Sequence, residues 1–370
     1  MNQQPLQPSS TASPVAALQQ KATRHPAATA VRARRRGLWL THTWSQLANE
    51  AHILARAWSA IGIARGDAIV ALGPLGFDLI VALFAADTLG ITLELAVAGS
   101  EAETRLIQAT RWALVDGSHE LERVLRHRGP SLQHVFLSES DLVLDAQAVQ
   151  GLSVHRLDQL LSGPVHAWSA PGEAAASAAF RIHGDVSVTG TAQRLEAPPL
   201  DKGEKVLADF APTWSAGLDF ILHAWPSSGA ELLLPEPQGD AATDRRQARA
   251  HVWLAPDTRL EQFAQELWER VPPAGLAAAL VRAALRGQRT PWSALARRRI
   301  KAVLGLERLR AVVSDADVPP ALAEALTALG IRSSHPGATE QRPVGTARTA
   351  PPRTLPVVDG LERAYARSAS

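Results

Sequence analysis

The polar residues best placed for chemistry lie around one strand–turn–helix pattern in the last quarter of the chain. The apolar run Leu309–Val313 predicts a buried strand, and Ser314–Asp317 predicts a turn at its carboxyl end. Residues 319–330 predict a helix, because two prolines suit its first turn and a glycine suits its end. Ligands of open parallel sheets bind beyond the carboxyl ends of the strands. Asp315 lies in the turn, and the sequence P-G-A-T-E, with Gly337, Thr339 and Glu340, follows the helix.

A similar alternation of strands and helices in the first third of the chain must supply part of the scaffold. Short apolar runs predict buried strands at 68–72, 91–95 and 112–115. Thr43 and Ser100 have the side chains of N-caps, so helices are predicted after each of them. A third helix is predicted over residues 77–89. Strands joined by helices at this spacing predict a parallel sheet with right-handed crossovers.

Composition favours a globular cytoplasmic protein and excludes several kinds of site. The chain of 370 residues is 46% hydrophobic and contains no run of eighteen apolar residues, so no transmembrane helix is expected. Without cysteine it has no disulfide, thiolate metal ligand or thiol nucleophile. A net charge of +2 does not indicate nucleic-acid binding. Basic clusters at 32–36 and 297–301 are expected to be either solvated surface or a site for an anionic partner.

These patterns resemble the adenylate-forming enzymes, specifically the acyl-CoA synthetase branch. In that family a strand ends in S-G-G-A-P-L-P and a helix leads to Y-G-x-T-E; here the counterparts are S-D-A-D-V-P at 314–319 and P-G-A-T-E at 336–340. T-W-S-Q-L at 43–47 and G-I-A-R-G-D at 62–67 resemble the front of the family. The basic helix predicted at 292–306 resembles the long-chain fatty-acid branch. An isolated G-x-T-E is also common in surface turns, so the order of the pieces carries the resemblance.

The resemblance implies a phosphate-binding loop, which in the family reads S-G-T-T-G-x-P-K-G. Glycines in such a loop let backbone N–H groups close around phosphates, hydroxyls add donors, and the lysine supplies charge. The segment 178–194 lacks that lysine and proline, and two registers stay open, one from Ser187 and one from His183. It is either a nucleotide loop or an ordinary Ser/Thr/Gly hairpin, and Asp185 would repel phosphate. The implied binding residues are Ser187, Thr189, Gly190, Thr191 and Arg194.

The resemblance also implies an acyl pocket. The family carries P-x-x-[HW]-x-x-G at the start of a helix that borders the pocket, and Trp214 and Gly217 match that pattern here. The alternative for Trp214 is an ordinary core aromatic. By the same resemblance, Asp315 and Gly337 would help to bind the nucleotide, and Thr339 and Glu340 would be catalytic. Thr339 and Glu340 would take the phosphate and Mg²⁺ roles, because Mg²⁺ is usually held by carboxylates together with substrate phosphates.

The implied fold is α/β, with two parallel-sheet αβαβα subdomains like the large N-terminal domain of acyl-CoA synthetases. The expected divisions are a disordered tail at 1–13, a first subdomain at 14–170, a second, AMP-binding-like subdomain at 171–345 and a mostly irregular tail at 346–370. The family continues into a T-G-D motif and a mobile C-terminal domain with a catalytic lysine. The residues after Glu340 are too few for these, so the chain is expected to stop before that domain.

Two functions remain open at this point. The first is a ligase that would join ATP and a fatty acid or other carboxylate to acyl-AMP, and then form a thioester with coenzyme A. Its activity is expected to be weak or lost unless a separate C-terminal domain or another protein completes it. The second is a pseudoenzyme that binds an acyl chain, a nucleotide or a protein partner without turnover. The missing lysine favours the second, whereas the retained G-A-T-E and scaffold fit both.

Overall fold

The computed structural model describes residues 13–162, 179–184, 195, 198–237, 239–288 and 290–334. These residues form strands, α-helices and a π-helical turn at Phe220–Ala224. The strands are β1 Thr29–Arg35, β2 Leu38–Thr43, β3 Ala68–Leu72, β4 Thr92–Ala96, β5 Trp112–Val115, β6 His134–Leu137, β7 Ser153–Arg156, β8 Phe180–His183, β9 Lys205–Ala208, β10 Glu231–Leu234, β11 Val252–Leu254, β12 Ala311–Val313 and β13 Arg332–Ser334. The helices are α1 Pro14–Arg24, α2 Trp44–Ile61, α3 Phe77–Leu89, α4 Glu101–Ala109, α5 Ser118–His127, α6 Leu157–Leu161, α7 Ser215–Asp219, α8 Trp225–Ser228, α9 Ala241–Ala248, α10 Asp257–Glu269, α11 Leu276–Leu285, α12 Pro291–Leu304 and α13 Pro320–Ala328.

The strands form two sheets that are almost entirely parallel. The first sheet has the order β7-β6-β5-β3-β4-β8, and every neighbouring pair in it is parallel. The second sheet has the order β13-β12-β11-β9-β10-β1-β2, and only β1 and β2 are antiparallel. The predicted α/β class with two parallel sheets is therefore confirmed.

Sheet membership follows chain order except for the first two strands. The β1–β2 hairpin joins the second sheet, where Val31 of β1 lies opposite Leu232 of β10. Strand β8 joins the edge of the first sheet, where Phe180 lies opposite Leu93 of β4. For the β1–β2 hairpin, the sequence predicted only a short strand near residues 38–40, because the arginines of β1 obscure its apolar alternation. In the fold Val31 and Ala33 are buried on one face of β1, whereas Arg32 and Arg34 are half-buried on the other.

Three of the four arginines in the basic cluster at residues 32–36 pair with carboxylates of the same chain, whereas Arg35 is exposed. Arg34 forms an ion pair with Asp244, and Arg32 lies 3.6 Å from Glu231. Arg36 bonds Glu139 and Asp141 on the first sheet's side of the molecule; the nitrogen–oxygen distances are 3.0 Å and 2.7 Å. These arginines therefore tie the hairpin to its neighbours through carboxylates of the same chain.

Local signals predicted several helices well. Thr43 caps α2 with a reciprocal capping box, and α2 ends at Gly62, which has a φ of +98°. Helix α3 has the predicted bounds, and its apolar sequence is buried on nearly every side. Residues 116–164 looked irregular in sequence but contain α5, which buries Leu121 and Val124. No helix in the described ranges is long and apolar enough to cross a membrane.

One core cluster joins the two sheets. It combines residues of β3 and β4 in the first sheet, residues of β9 and β10 in the second, and buried faces of α2 and α3. Trp225 is fully buried in this cluster, with its ring centroid 4.7 Å from that of Trp44 and 6.5 Å from that of Phe84. The two sheets are thus held by shared hydrophobic packing, which also sets the position of the segment that begins at Trp214.

Candidate functional site

The carboxyl ends of β9, β11 and β12 meet at one edge of the second sheet. Ala208 pairs with Leu254, and Leu254 pairs with Val313, so the three strands end in register. The first polar residues beyond this edge are Asp209 after β9 and Ser314 and Asp315 after β12. In parallel sheets this edge is where ligands bind. The strand–turn–helix pattern seen in the sequence is present, with α13 beginning at Pro320 and its Leu322, Ala325 and Leu326 buried.

Trp214 and Asp315 are hydrogen-bonded to each other at this edge. Trp214 lies just before α7, is 8% exposed, and donates its indole N–H to Oδ2 of Asp315. The other carboxylate oxygen, Oδ1, is buried and has no hydrogen-bond partner within the described part of the chain. A buried acceptor without a donor is unfavourable by about 1–3 kcal/mol. The geometry of Asp315 therefore points to a donor supplied by a ligand or by water.

Gly217 packs against a pair of aromatic side chains next to the carboxylate of Asp315. The rings of Phe210 and Trp214 pack edge to face with centroids 4.8 Å apart. A Cβ atom at position 217 would lie 2.4 Å from the indole of Trp214 and 2.5 Å from the ring of Phe210. Only glycine lets α7 approach both rings this closely.

Replacing Gly217 by alanine should lower the free energy of unfolding by about 1–3 kcal/mol, because the added methyl group overpacks this aromatic pair. Urea unfolding followed by circular dichroism measures the change. Gly76 is the matched control, because a Cβ there meets nothing within 4 Å and its φ is that of ordinary extended backbone. Gly76→Ala should cost less than about 1 kcal/mol. Equal effects at the two glycines would contradict the packing account.

An ion pair lies at the same edge of the second sheet. Nε of Arg259 donates to both carboxylate oxygens of Asp209 at 3.0 Å, and Asp209 is 9% exposed. Arg259 also bonds Gln262 one turn further along α10. Both oxygens of Asp209 therefore have a donor, whereas Oδ1 of Asp315 has none within the described ranges.

Three of the predicted site residues are thus brought together: Trp214, Gly217 and Asp315. The sequence did not single out Phe210 or Asp209, although both directly follow the apolar run of β9, which is a usable signal. The other predicted residues lie outside the described ranges and remain predictions. They are Ser187, Thr189, Gly190, Thr191 and Arg194 of the phosphate loop, and Gly337, Thr339 and Glu340 after α13.

Carboxyl groups also gather at the carboxyl edge of the first sheet. Burial, with a smaller contribution from the charge of Asp78, raises the pKa of Glu50 to about 7 and that of Asp116 to about 6. Burial likewise raises the pKa of Asp78, against the opposing effect of Arg35 and a hydrogen bond from Ser138. No group of three or more His, Asp or Glu side chains within the described ranges could hold a metal ion. The raised pKa values of Glu50 and Asp116 make the stability of the fold depend on pH.

The pKa of Glu50 predicts a pH-dependent penalty. A carboxyl group whose pKa is raised by folding binds more protons in the folded state, so it disfavours folding as the pH rises from about 4.5 through 7. Glu50→Gln should match the parent at pH 4 and become progressively more stable than it up to pH 8. Urea unfolding across that range measures the difference. Glu101→Gln, at an exposed site on α4, should show no such trend, and a trend of equal size there would refute the assignment to Glu50.

Comparison with known proteins identifies the fold. No family model matches the sequence, and no curated protein matches it. Among solved structures, the adenylation domain of a carboxylate reductase from Mycobacterium chelonae matches with a TM-score of 0.64 and 15% identity, over 89% of this chain and 57% of that one. A fatty acyl CoA synthetase from Mycobacterium tuberculosis matches with a TM-score of 0.59 and 16% identity, over 87% and 58%. The N-terminal domain of FACL13 from the same organism matches with 0.57 and 15%, over 87% and 75%.

The chain therefore has the fold of the large N-terminal domain of adenylate-forming enzymes, and the predicted resemblance is confirmed at the level of the fold. It spans little more than half the length of the synthetase and of the reductase domain. A related adenylation domain from Segniliparus rugosus was solved in complex with AMP and a co-purified carboxylic acid; it is 14% identical to this chain and has a TM-score of 0.59.

Proposed function

We propose that this chain is an AMP-binding protein of the acyl-CoA synthetase type. The observation that carries the proposal is the carboxylate of half-buried Asp315 at the carboxyl end of β12. One oxygen accepts from Trp214, and the other, Oδ1, is buried without a partner among the described residues. Adenosine offers amino and hydroxyl groups that could donate to this oxygen. Structures with this fold include an adenylation domain in complex with AMP, which supports a nucleotide as the ligand.

The proposal divides the nucleotide between two groups of residues. Because a carboxylate repels phosphate, Asp315 is assigned to the adenosine end. The phosphate end is assigned to sequence candidates outside the described ranges: Ser187, Thr189, Gly190, Thr191, Arg194, Gly337 and Thr339. Mg²⁺ is assigned to Glu340, because a carboxylate together with substrate phosphates is its usual environment.

The proposed chemistry is activation of a carboxylic acid, with a fatty acid as the substrate class. The carboxylate would attack the α-phosphorus of ATP, forming acyl-AMP and releasing pyrophosphate. The thiol of coenzyme A would then attack the acyl carbon and release AMP. The carboxylic acid bound by the reductase domain and the fatty acyl synthetase among the similar structures support this substrate class. A partner that completes the reaction and a cytoplasmic location are part of the same proposal.

A second candidate is a binding protein that no longer turns over. One structural observation favours it: Phe210 and Trp214 pack directly against Gly217, where the family resemblance locates the acyl pocket. Arginine in place of the phosphate-loop lysine favours it too, because the two cations are not interchangeable at a tight site.

Calorimetric titration with ATP and Mg²⁺ tests nucleotide binding. The parent chain should bind with micromolar affinity. Asp315→Asn should weaken binding by about tenfold or more, because its amide keeps an acceptor for Trp214 but turns an N–H₂ toward the ligand's donor. Arg194→Ala and Glu340→Ala should also weaken binding. Asp145→Asn, on an exposed loop, is the matched control.

The outcomes separate the two candidates. Binding followed by acyl-AMP formation with a fatty acid supports the ligase, whereas binding without acyl-AMP supports the non-catalytic protein. No binding up to millimolar ATP would overturn the nucleotide site, and with it the ligase function of this chain.

A further inference from the structure

Helix α11 has a surface that is unusual for a water-exposed helix. Its sequence, L-A-A-A-L-V-R-A-A-L, is apolar all round apart from one arginine, yet within it only Ala278, Ala284 and Leu285 are buried. Leu276 is 86% exposed and Leu280 is 40% exposed. Helices that are apolar on every side are normally covered by protein or lipid. We therefore expect the outer face of α11 to be covered by a binding partner.

Helix α12 packs against α11 and also exposes large apolar side chains. Trp292 is 68% exposed and Leu295 is 62% exposed, and they share a helical face with Arg299, which follows at the next turn. Arg298 is exposed beside them. We call this set the α11–α12 surface and define it by Leu276, Leu280, Trp292, Leu295, Arg298 and Arg299.

Helices α11 and α12 and the segment between them carry charge of one sign. Residues 271–306 contain no aspartate or glutamate, but they contain Arg282, Arg286, Arg289, Arg297, Arg298, Arg299 and Lys301. Arg282 and Arg297 bond the backbone carbonyls of Pro273 and Gln288, which do not neutralise their charge. In contrast, Arg32, Arg34 and Arg36 pair with carboxylates of the same chain.

The charge excludes two simple ways of covering the surface. A second copy of the chain would bring an equally basic surface against it, and like charges repel. Residues 335–370 of the chain carry five arginines and only three acidic residues, so they do not complement it either.

An anionic bilayer matches both features. Tryptophan and leucine insert at the boundary between headgroups and acyl chains, while arginine binds lipid phosphates. Leu276, Trp292 and Leu295 protrude as separate side chains, which a fluid bilayer accepts without a shaped complementary surface. We propose that the α11–α12 surface docks this protein on the face of a bilayer containing anionic lipid. The proposal goes beyond nucleotide binding and does not depend on it.

Site-specific labels test the contact. The chain has no cysteine, so Leu276→Cys and Leu295→Cys each give a single position for an environment-sensitive fluorophore. Leu38→Cys and Val143→Cys are the matched controls, because those side chains are 69% and 91% exposed elsewhere. Vesicles of phosphatidylcholine with phosphatidylglycerol should shift the emission of the first two labels to the blue and leave the controls unchanged. Vesicles of phosphatidylcholine alone should have little effect.

Flotation with the same vesicles measures the electrostatic contribution to membrane binding. The double variant Arg298→Gln, Arg299→Gln should partition about thirtyfold less, since each arginine near an anionic surface contributes roughly 1 kcal/mol. The control double variant replaces Arg65 and Arg105, which are exposed elsewhere in the chain, and changes the net charge equally. Equal loss in both variants, or no partitioning of the parent, would overturn the proposal. Labels that respond to soluble polyglutamate but not to vesicles would also overturn it and identify an acidic protein as the partner.

Discussion

Replacing Trp225 by alanine should lower the free energy of unfolding by about 3–5 kcal/mol. Trp225 is fully buried between Trp44 of α2 and Phe84 of α3, in the core cluster that joins the two sheets. Its indole N–H also donates to the carbonyl of Ala230 at 2.8 Å, at the turn that leads into β10. The substitution therefore removes the largest kind of apolar side chain and leaves a buried carbonyl without its donor.

Urea unfolding followed by far-ultraviolet circular dichroism measures this loss. Trp225→Phe separates the two contributions, because it keeps most of the buried ring but removes the N–H, and it should cost less than the alanine variant. Trp292→Ala is the matched control at a side chain that is 68% exposed, and its effect should stay within about 0.5 kcal/mol. If Trp225→Ala were no more destabilising than Trp292→Ala, the account of the shared core would be wrong.

Replacing Asp244 by alanine should also lower the free energy of unfolding by about 3–5 kcal/mol, because it leaves a buried guanidinium without its carboxylate. Asp244 on α9 is 1% exposed and pairs with Arg34 of β1. Its second oxygen accepts from the backbone N–H of Glu236 at 3.2 Å. One carboxylate thus joins the N-terminal hairpin, the turn after β10 and the start of α9.

A double variant without either charge tests whether the loss of stability comes from the unpaired arginine. Arg34→Met with Asp244→Leu removes both charges and should cost clearly less than Asp244→Ala alone. The exposed pair Glu122–Arg126 is the control, and Glu122→Ala should cost no more than about 0.5 kcal/mol. A double variant as unstable as Asp244→Ala would show that packing, and not the unpaired arginine, causes the effect. Both sets of measurements use the same unfolding assay.

The sequence determined those features whose causes lie within a few residues of each other. The N-cap at Thr43, the glycine end of α2 and the bounds of α3 were predicted, because capping and helical periodicity act over one or two turns. The strand–turn–helix pattern around Asp315 was predicted for the same reason, and its order of motifs pointed to the fold that the solved structures identify.

Only the tertiary structure decided which distant residues meet. Trp214 and Asp315 were separate candidates 101 positions apart, and no pattern in the sequence near either residue predicts the hydrogen bond between them. The arginines of β1 look like a solvated cluster in sequence, but Arg34 meets Asp244 at a separation of 210 residues. Strand pairing and burial create such contacts only when both sheets form around their shared core. The polar residues in question carry no periodicity of their own from which the partner could be predicted.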